Sequence, residues 1–138
     1  MRALCASVAF LLLGTSLVSA QATLPEAAEQ VRRAWLTHDA PTLVGQSASI
    51  LLQIPGAEPS AALGRDQAVE LLQRYLRSTE ERGLDITALR EVEPGKGFVE
   101  LTRRYVVTGT KELRRETLFL GFQLVGREWR LAELRTAS

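Results

Sequence analysis

An arginine interrupts an alternating apolar segment in the second half of the chain. Arg103 lies in VELTRRYVV (99–107), where the alternation places its side chain on the apolar face of a strand. A buried cation without a partner is costly. If a turn at Gly109-Thr110 joins this strand to the next, Arg103 lies opposite Glu116. Two interpretations follow: an anion or carboxylate site near the mouth of a cavity, or a cross-strand ion pair where the hairpin overhangs the core.

A carboxylate, Glu133, has the apolar parity of the last predicted strand, opposite Leu120. Inside a pocket it would be a candidate general base. A bulge after Leu131 would instead turn Glu133 outward and Leu134 inward. Both interpretations stay open.

Two aromatic residues, Tyr75 and Trp35, lie on the apolar stripes of predicted helices. They either pack in the core or line a pocket, where Tyr75 would offer a hydroxyl donor and Trp35 a flat apolar wall. The single histidine, His38, follows a helical stripe and is expected to interact with terminal carbonyls; a catalytic role would need Asp39 to orient it. With one histidine and with its single cysteine at Cys5, the sequence predicts no metal site and no cofactor.

Helical periodicity dominates the first half of the chain. A capping box at Thr23-Leu24-Pro25-Glu26 predicts a helix over 24–38 that ends before Pro41. The stretch LGRDQAVELLQRYL (63–76), with its glycine as N-cap, predicts a second helix. Between them, SASILLQIP (47–55) predicts a short buried strand.

After Gly83 the apolar period changes from helical to alternating. Strands are predicted over 84–92, 98–108, 112–124 and 128–135. Two-residue turns that begin with Gly109 and Gly126 would set the register of an antiparallel meander, with Leu101 opposite Leu118 and Phe122 opposite Leu131. The predicted fold is α+β, with two to three helices packed on one face of a strongly curved antiparallel sheet.

The first twenty residues have the layout of a secretory signal peptide: Arg2, an apolar run from Ala3 to Leu13, and small residues before Gln21. The run is shorter than a membrane-spanning helix needs. We therefore expect one secreted or periplasmic domain over 21–138, with no stable membrane insertion after cleavage; a retained anchor is the alternative. Without Arg2 the basic residues balance the 16 acidic ones, which removes the electrostatic drive for nucleic-acid binding.

Three segments carry a resemblance to a known superfamily: AWLTHDAPTL (34–43), GRDQAVELL (64–72) and EWRLAEL (128–134). They resemble the nuclear transport factor two-like, or cystatin-like, superfamily, which includes small polyketide cyclases and ketosteroid isomerase. The resemblance covers the whole of 21–138 and is closest to small exported members whose role is unassigned. It implies a cone-shaped fold. The inward acid and the oxyanion donors of the isomerase relatives have no assigned counterpart in this sequence.

The leading hypothesis is a non-enzymatic exported domain that binds a small apolar or weakly anionic ligand or a partner protein. Its candidate ligand-binding residues are Arg103, Glu116, Tyr75, Trp35 and Glu133. One alternative is a cyclase- or isomerase-type enzyme with Glu133 or Asp39 as base. Another is an interaction module whose cone is filled.

The outer face of the predicted sheet carries a flat, partly apolar patch. Its members are Phe119, Leu134, Gly121 and Ala132. Patches of this kind are enriched at interfaces, so the sequence predicts a homodimer formed through this face.

Overall fold

The computed structural model describes residues 22–55 and 61–138. The predicted signal peptide and the loop residues 56–60 lie outside the described residues. The elements are α1 (Leu24–Leu36), α2 (Ala40–Val44), β1 (Ser49–Gln53), β2 (Leu63–Gly64), α3 (Arg65–Arg77), β3 (Thr79–Glu93), β4 (Lys96–Val107), β5 (Leu113–Val125) and β6 (Glu128–Ala137). None of the helices in these two ranges is long and apolar enough to span a bilayer.

Helix α1 begins with the predicted capping box. Thr23 Oγ1 accepts from the Glu26 amide and Glu26 Oε2 accepts from the Thr23 amide, both at 3.3 Å. The helix ends at Leu36, two residues before the predicted end, because His38 adopts a positive φ of 55°. The Asp39 amide then donates back to the last turn of α1 at 2.8 Å, a Schellman-type end with histidine in the place that glycine usually takes.

The six strands form one sheet in the order β2-β1-β6-β5-β4-β3. Strands β3 to β6 are the predicted antiparallel meander. Strand β1 joins its edge in parallel, with Leu51–Gln53 beside Glu133–Arg135 of β6. The sheet is therefore mixed, which the sequence did not indicate because a single short apolar run carries no information about strand direction. The short strand β2 and the helix α2 were likewise not predicted.

The predicted register is confirmed for the pairs Leu101–Leu118, Val99–Leu120, Arg103–Glu116, Leu124–Trp129 and Phe122–Leu131. Past Leu131 it shifts by one residue, so that Leu120 pairs with Leu134 and not with the predicted Glu133. Gly126, with a φ of 64°, is the first residue of a two-residue turn as expected. The prediction of a two-residue turn at Gly109 is wrong, because the loop spans residues 108–112. Within this loop Gly109 takes the third position of a turn in which the Thr110 amide donates to Val107 O at 2.9 Å. The longer loop keeps the same centre, so the register is unchanged.

β-Bulges curve the sheet around the helices. Strand β3 has three register shifts along its length and β6 has one beside Gly121. A bulge bends its strand and increases the local twist. The concave face packs on the helices around fully buried side chains from every layer: Trp35, Leu72, Leu101, Leu120 and Leu134.

Candidate functional site: an arginine cluster and two clefts

Four of the five sequence-predicted site residues meet in the interior. Arg103, fully buried on β4, donates through Nη1 to Glu116 Oε1 at 3.0 Å and to Tyr75 Oη at 2.8 Å. Tyr75 Oη in turn donates to Glu116 Oε1 at 2.9 Å. The Trp35 ring centroid lies 5.0 Å from the guanidinium carbon, within cation–π range. These residues and their partners below are called the Arg103 cluster.

Two further members of the cluster were missed. Arg103 Nε donates to Glu81 Oε2 at 2.9 Å, and Nη2 donates to Glu81 Oε1 and, at 2.9 Å, to Thr79 Oγ1. The predicted strand begins after Gly83, whereas β3 begins at Thr79. The alternation of Thr79 and Glu81 could have indicated the earlier start, but Gly83 has the residue type expected at a strand boundary.

The donors of Arg103 are fully used without a ligand. All five N–H groups of Arg103 have an acceptor. The ring centroid of Tyr105 lies 3.9 Å from the guanidinium carbon and covers it. This geometry matches a cross-strand ion pair extended by Glu81, and it leaves Arg103 no free donor for an external anion.

The protonation states of the cluster follow from burial and from mutual charge. Burial by itself lowers the pKa of Arg103, but the hydrogen bond to Glu81 and the interactions with Tyr75, Glu81 and Glu116 outweigh it and raise that pKa above its usual range. Burial raises the pKa of Tyr75; Arg103 opposes this shift and Glu116 reinforces it. Near neutral pH the guanidinium is therefore charged and the phenol is neutral.

His38 connects the cluster to solvent. Its Nε2 lies 3.7 Å from Glu81 Oε1, and its side chain is about one-third exposed whereas that of Glu81 is buried. The side chain thus turns towards a carboxylate, while its backbone amide donates to the Trp35 carbonyl at the end of α1.

Neither residue considered as a general base has the required setting. The bulge in β6 pairs Gly121 with Glu133, turns Leu134 inward and leaves Glu133 outside, 3.1 Å from Arg135 Nε. Placing Glu133 in a pocket is therefore wrong. Asp39 caps α2 by accepting from the Thr42 amide at 3.2 Å. Hydrogen bonds from the side chain and the amide of Thr42 lower the pKa of Asp39, which weakens it as a base.

The outer face of the sheet differs from the predicted patch because Leu134 is buried inside. Phe119 has Phe98 as its aromatic neighbour, with ring centroids 6.1 Å apart. Arg135 lies over the Phe119 ring at 5.2 Å and Arg90 over the Phe98 ring at 5.7 Å. The patch is thus aromatic and basic, and the homodimer through this face stays a prediction.

A cleft of about 470 Å³, here called the Arg130 cleft, lies at the other end of the sheet. The cleft lies between the first half of β6 on one side and α1, α2 and the chain before β1 on the other. This half of β6 pairs with β5 but has no strand on its other edge among the described residues, because β1 pairs only with Glu133–Arg135. Ser47 Oγ donates to Leu131 O at 2.6 Å and fixes the cleft floor. Its lining includes Gln30, Val31, Gln46, Ser47, Arg65, Phe122, Glu128, Trp129, Arg130 and Leu131. This volume is typical of small-molecule sites.

The charged residues of the Arg130 cleft have a positive balance. Arg65 is oriented by donating through Nε to Gly45 O at 2.7 Å. Arg130 Nη2 lies 3.6 Å from Glu128 Oε2, while Arg130 Nε is buried and has no hydrogen-bond partner among residues 22–55 and 61–138. Two arginines and one glutamate therefore line the cleft, and Asp66, outside this lining, lies 3.6 Å from Arg65 Nη1.

A second cleft, also of about 470 Å³, adjoins the first and is here called the Leu89 cleft. It lies between the start of α1, the far end of β3 and the β5–β6 hairpin. Its lining is Ala22, Thr23, Leu24, Pro25, Leu89, Glu91, Leu124 and Trp129. Ala22 and Trp129 line both clefts. Neither cleft was predicted from the sequence, since both form between segments that are distant in the chain.

Comparison with known proteins identifies the fold. No protein-family model matches the chain, and no curated protein matches it in sequence. Among solved structures, a ketosteroid isomerase-like protein from Erwinia carotovora atroseptica SCRI1043 superposes with a TM-score of 0.71 at 17% identity, covering 84% of this chain and 93% of that one.

Two further structures agree. A hypothetical protein with a ketosteroid isomerase-like fold from Catenulispora acidiphila DSM 44928, in complex with trimethylamine, has a TM-score of 0.63 at 16% identity, covering 84% of this chain and 87% of that one. A domain of unknown function with a cystatin-like fold from Nostoc punctiforme PCC 73102 has a TM-score of 0.58 at 14% identity, covering 80% and 72%. The chain therefore has the nuclear transport factor two-like fold, as the sequence resemblance implied.

Proposed function

We propose that the protein binds a small ligand with an apolar body and a weakly anionic group in the Arg130 cleft. We also propose that it does so as an exported, non-enzymatic domain, with the signal-peptide pattern of residues 1–20 as the support for export. The observation that carries the ligand proposal is a cleft of about 470 Å³ whose lining combines Trp129 with Arg65 and Arg130.

The charge and the shape of the cleft support this ligand class. Arg130 lies 3.6 Å from Glu128 and Arg65 lies 3.6 Å from Asp66, distances too long for hydrogen bonds, so both guanidinium groups keep donors for a ligand carboxylate. Trp129, Phe122 and Leu131 offer apolar surface for the rest of the ligand.

The Arg103 cluster supports a different role for the residues that the sequence analysis named. Arg103, Glu116 and Tyr75 hydrogen-bond one another and Trp35 packs against the guanidinium, so these residues hold the strands and α3 together away from the cleft. A ligand at this cluster would have to displace several charge-assisted hydrogen bonds. The Arg130 cleft requires no such displacement.

A matched pair of probes tests the proposal. Phenylacetate and phenylacetamide share an apolar ring and differ in the negative charge. We expect phenylacetate to bind more tightly, with chemical-shift changes in amide NMR spectra that centre on Trp129, Arg130 and Leu131. Because Arg130 is about one-third exposed, we expect the charge to contribute about 1 kcal/mol, or about fivefold in affinity.

Two variants locate the effect. Arg130→Gln should remove the preference for phenylacetate, whereas Arg127→Gln, in the adjacent turn and outside the cleft lining, should retain it. Shift changes centred on Tyr75 and Glu116 would move the site to the Arg103 cluster. Equal binding of the acid and the amide by the wild-type protein would contradict the proposal.

A further inference from the structure

The two clefts adjoin at Trp129, which lines both, as does Ala22 before the start of α1. The charged groups are concentrated in one of them: Arg65, Arg130 and Glu128 line the Arg130 cleft, whereas among the residues that the structure describes Glu91 is the single charged residue in the lining of the Leu89 cleft. A ligand that followed both clefts would meet positive charge first and apolar walls second.

The walls of the Leu89 cleft suit an aliphatic chain. Leu24 is buried beneath it and Leu89 packs against the core, while Leu124 and Trp129 close the hairpin side. Burial of aliphatic carbon on such a surface is favourable in proportion to the area removed from water. Polar groups that would hydrogen-bond a compact polar ligand are more numerous in the lining of the Arg130 cleft, which has Gln30, Gln46 and Ser47, than in that of the Leu89 cleft, which has Thr23 and Glu91.

We propose that the ligand is a single-chain amphiphile whose anionic head group lies at Arg130 and whose aliphatic chain crosses Trp129 into the Leu89 cleft. This inference rests on the proposed function and names its ligand class. The occupant is a free amphiphile rather than a bilayer lipid, because both clefts are concave gaps between elements and not a flat surface that could lie against a bilayer. Glu91 lies at the far end, where an anionic head group would be repelled, and this fixes the direction of the chain.

A chain-length series tests the inference on the wild-type protein. Butyrate, hexanoate, octanoate and decanoate, each below its micelle concentration, are titrated by calorimetry. Full burial of a methylene group is worth about a fourfold gain in affinity. Because both clefts open to solvent, we expect about two- to threefold per methylene. Octanol should bind more weakly than octanoate, and the protein should not co-sediment with phosphatidylglycerol vesicles.

Two leucine variants locate the chain. Leu89→Ser should flatten the length dependence while leaving phenylacetate binding unchanged, and Leu124→Ser provides a second test at the opposite wall. The matched control is Leu113→Ser, an exposed leucine outside both linings. Circular dichroism confirms that each variant is folded.

The outcomes separate the two proposals. A flat length series with phenylacetate binding retained would overturn the amphiphile and leave the proposed function standing. Loss of the phenylacetate preference together with a flat series would overturn both. A steep series that Leu89→Ser and Leu124→Ser leave unaltered would place the chain elsewhere and refute this inference, as would co-sedimentation with vesicles.

Discussion

Replacing Arg103 with methionine removes the single guanidinium of the Arg103 cluster while keeping much of the side-chain volume. Glu81 and Glu116, with side chains 3% and 6% exposed, then retain their charge without a buried cation. Breaking a buried ion pair by removing one partner costs about 3–5 kcal/mol. Five hydrogen bonds are lost at the same time, so we expect the upper part of that range.

The assay is urea unfolding followed by tryptophan fluorescence, because Trp35 lies in the cluster. With a slope of about 1.5 kcal/mol per M, a loss of about 4 kcal/mol lowers the midpoint by about 2–3 M. The matched control is Arg104→Met. Arg104 is the next residue, its side chain is 43% exposed, and it pairs with Asp85 at 3.7 Å, so we expect a loss below about 1 kcal/mol.

A further variant separates charge from packing. A triple variant, Arg103→Met with Glu81→Leu and Glu116→Leu, should recover most of the stability, since no charge is left unpaired. If Arg103→Met and Arg104→Met lose the same stability, the reasoning about the cluster is refuted.

Other substitutions test separate features. Tyr75→Phe should lose about 1–3 kcal/mol of unfolding free energy at neutral pH. Because the pKa of Tyr75 is raised on folding, the stability that its hydroxyl contributes is fully present below about pH 10 and declines above it. The deficit should therefore shrink in alkaline urea titrations, and a constant deficit would argue against a buried neutral phenol. Gly97→Ala should lose about 1–3 kcal/mol in thermal unfolding because its Cβ would lie 2.6 Å from Leu24 Cδ1; an unchanged melting temperature would show that Leu24 moves freely. Gly64→Ser should gain about 0.5–1 kcal/mol, since α3 lacks a side-chain cap and the added Cβ meets no atom within 4 Å; a loss in the same assay would contradict the capping argument.

The last three strands show how far local pattern could determine structure. Alternation assigned Leu118 and Leu120 to the buried face, and centring the hairpin near Gly109 gave the register that pairs Arg103 with Glu116, although the loop there is longer than predicted. Side-chain direction alternates with a period of two, so a register error of one residue would expose the apolar side chains. The helix caps were also local, as the Thr23 capping box shows.

Tertiary structure alone decided the composition of both sites. Glu81 joins Arg103 because β3 starts at Thr79 and passes a bulge before Gly83, and a bulge is set by pairing with a distant strand. The bulge in β6 likewise exchanged Glu133 for Leu134 on the inner face, which the sequence left as one of two interpretations. The clefts form where β1 pairs with only part of β6 and where α1 meets the β5–β6 hairpin. Sequence periodicity defines the faces of each element, whereas a cavity is a gap between elements, so its position depends on contacts that no single segment specifies.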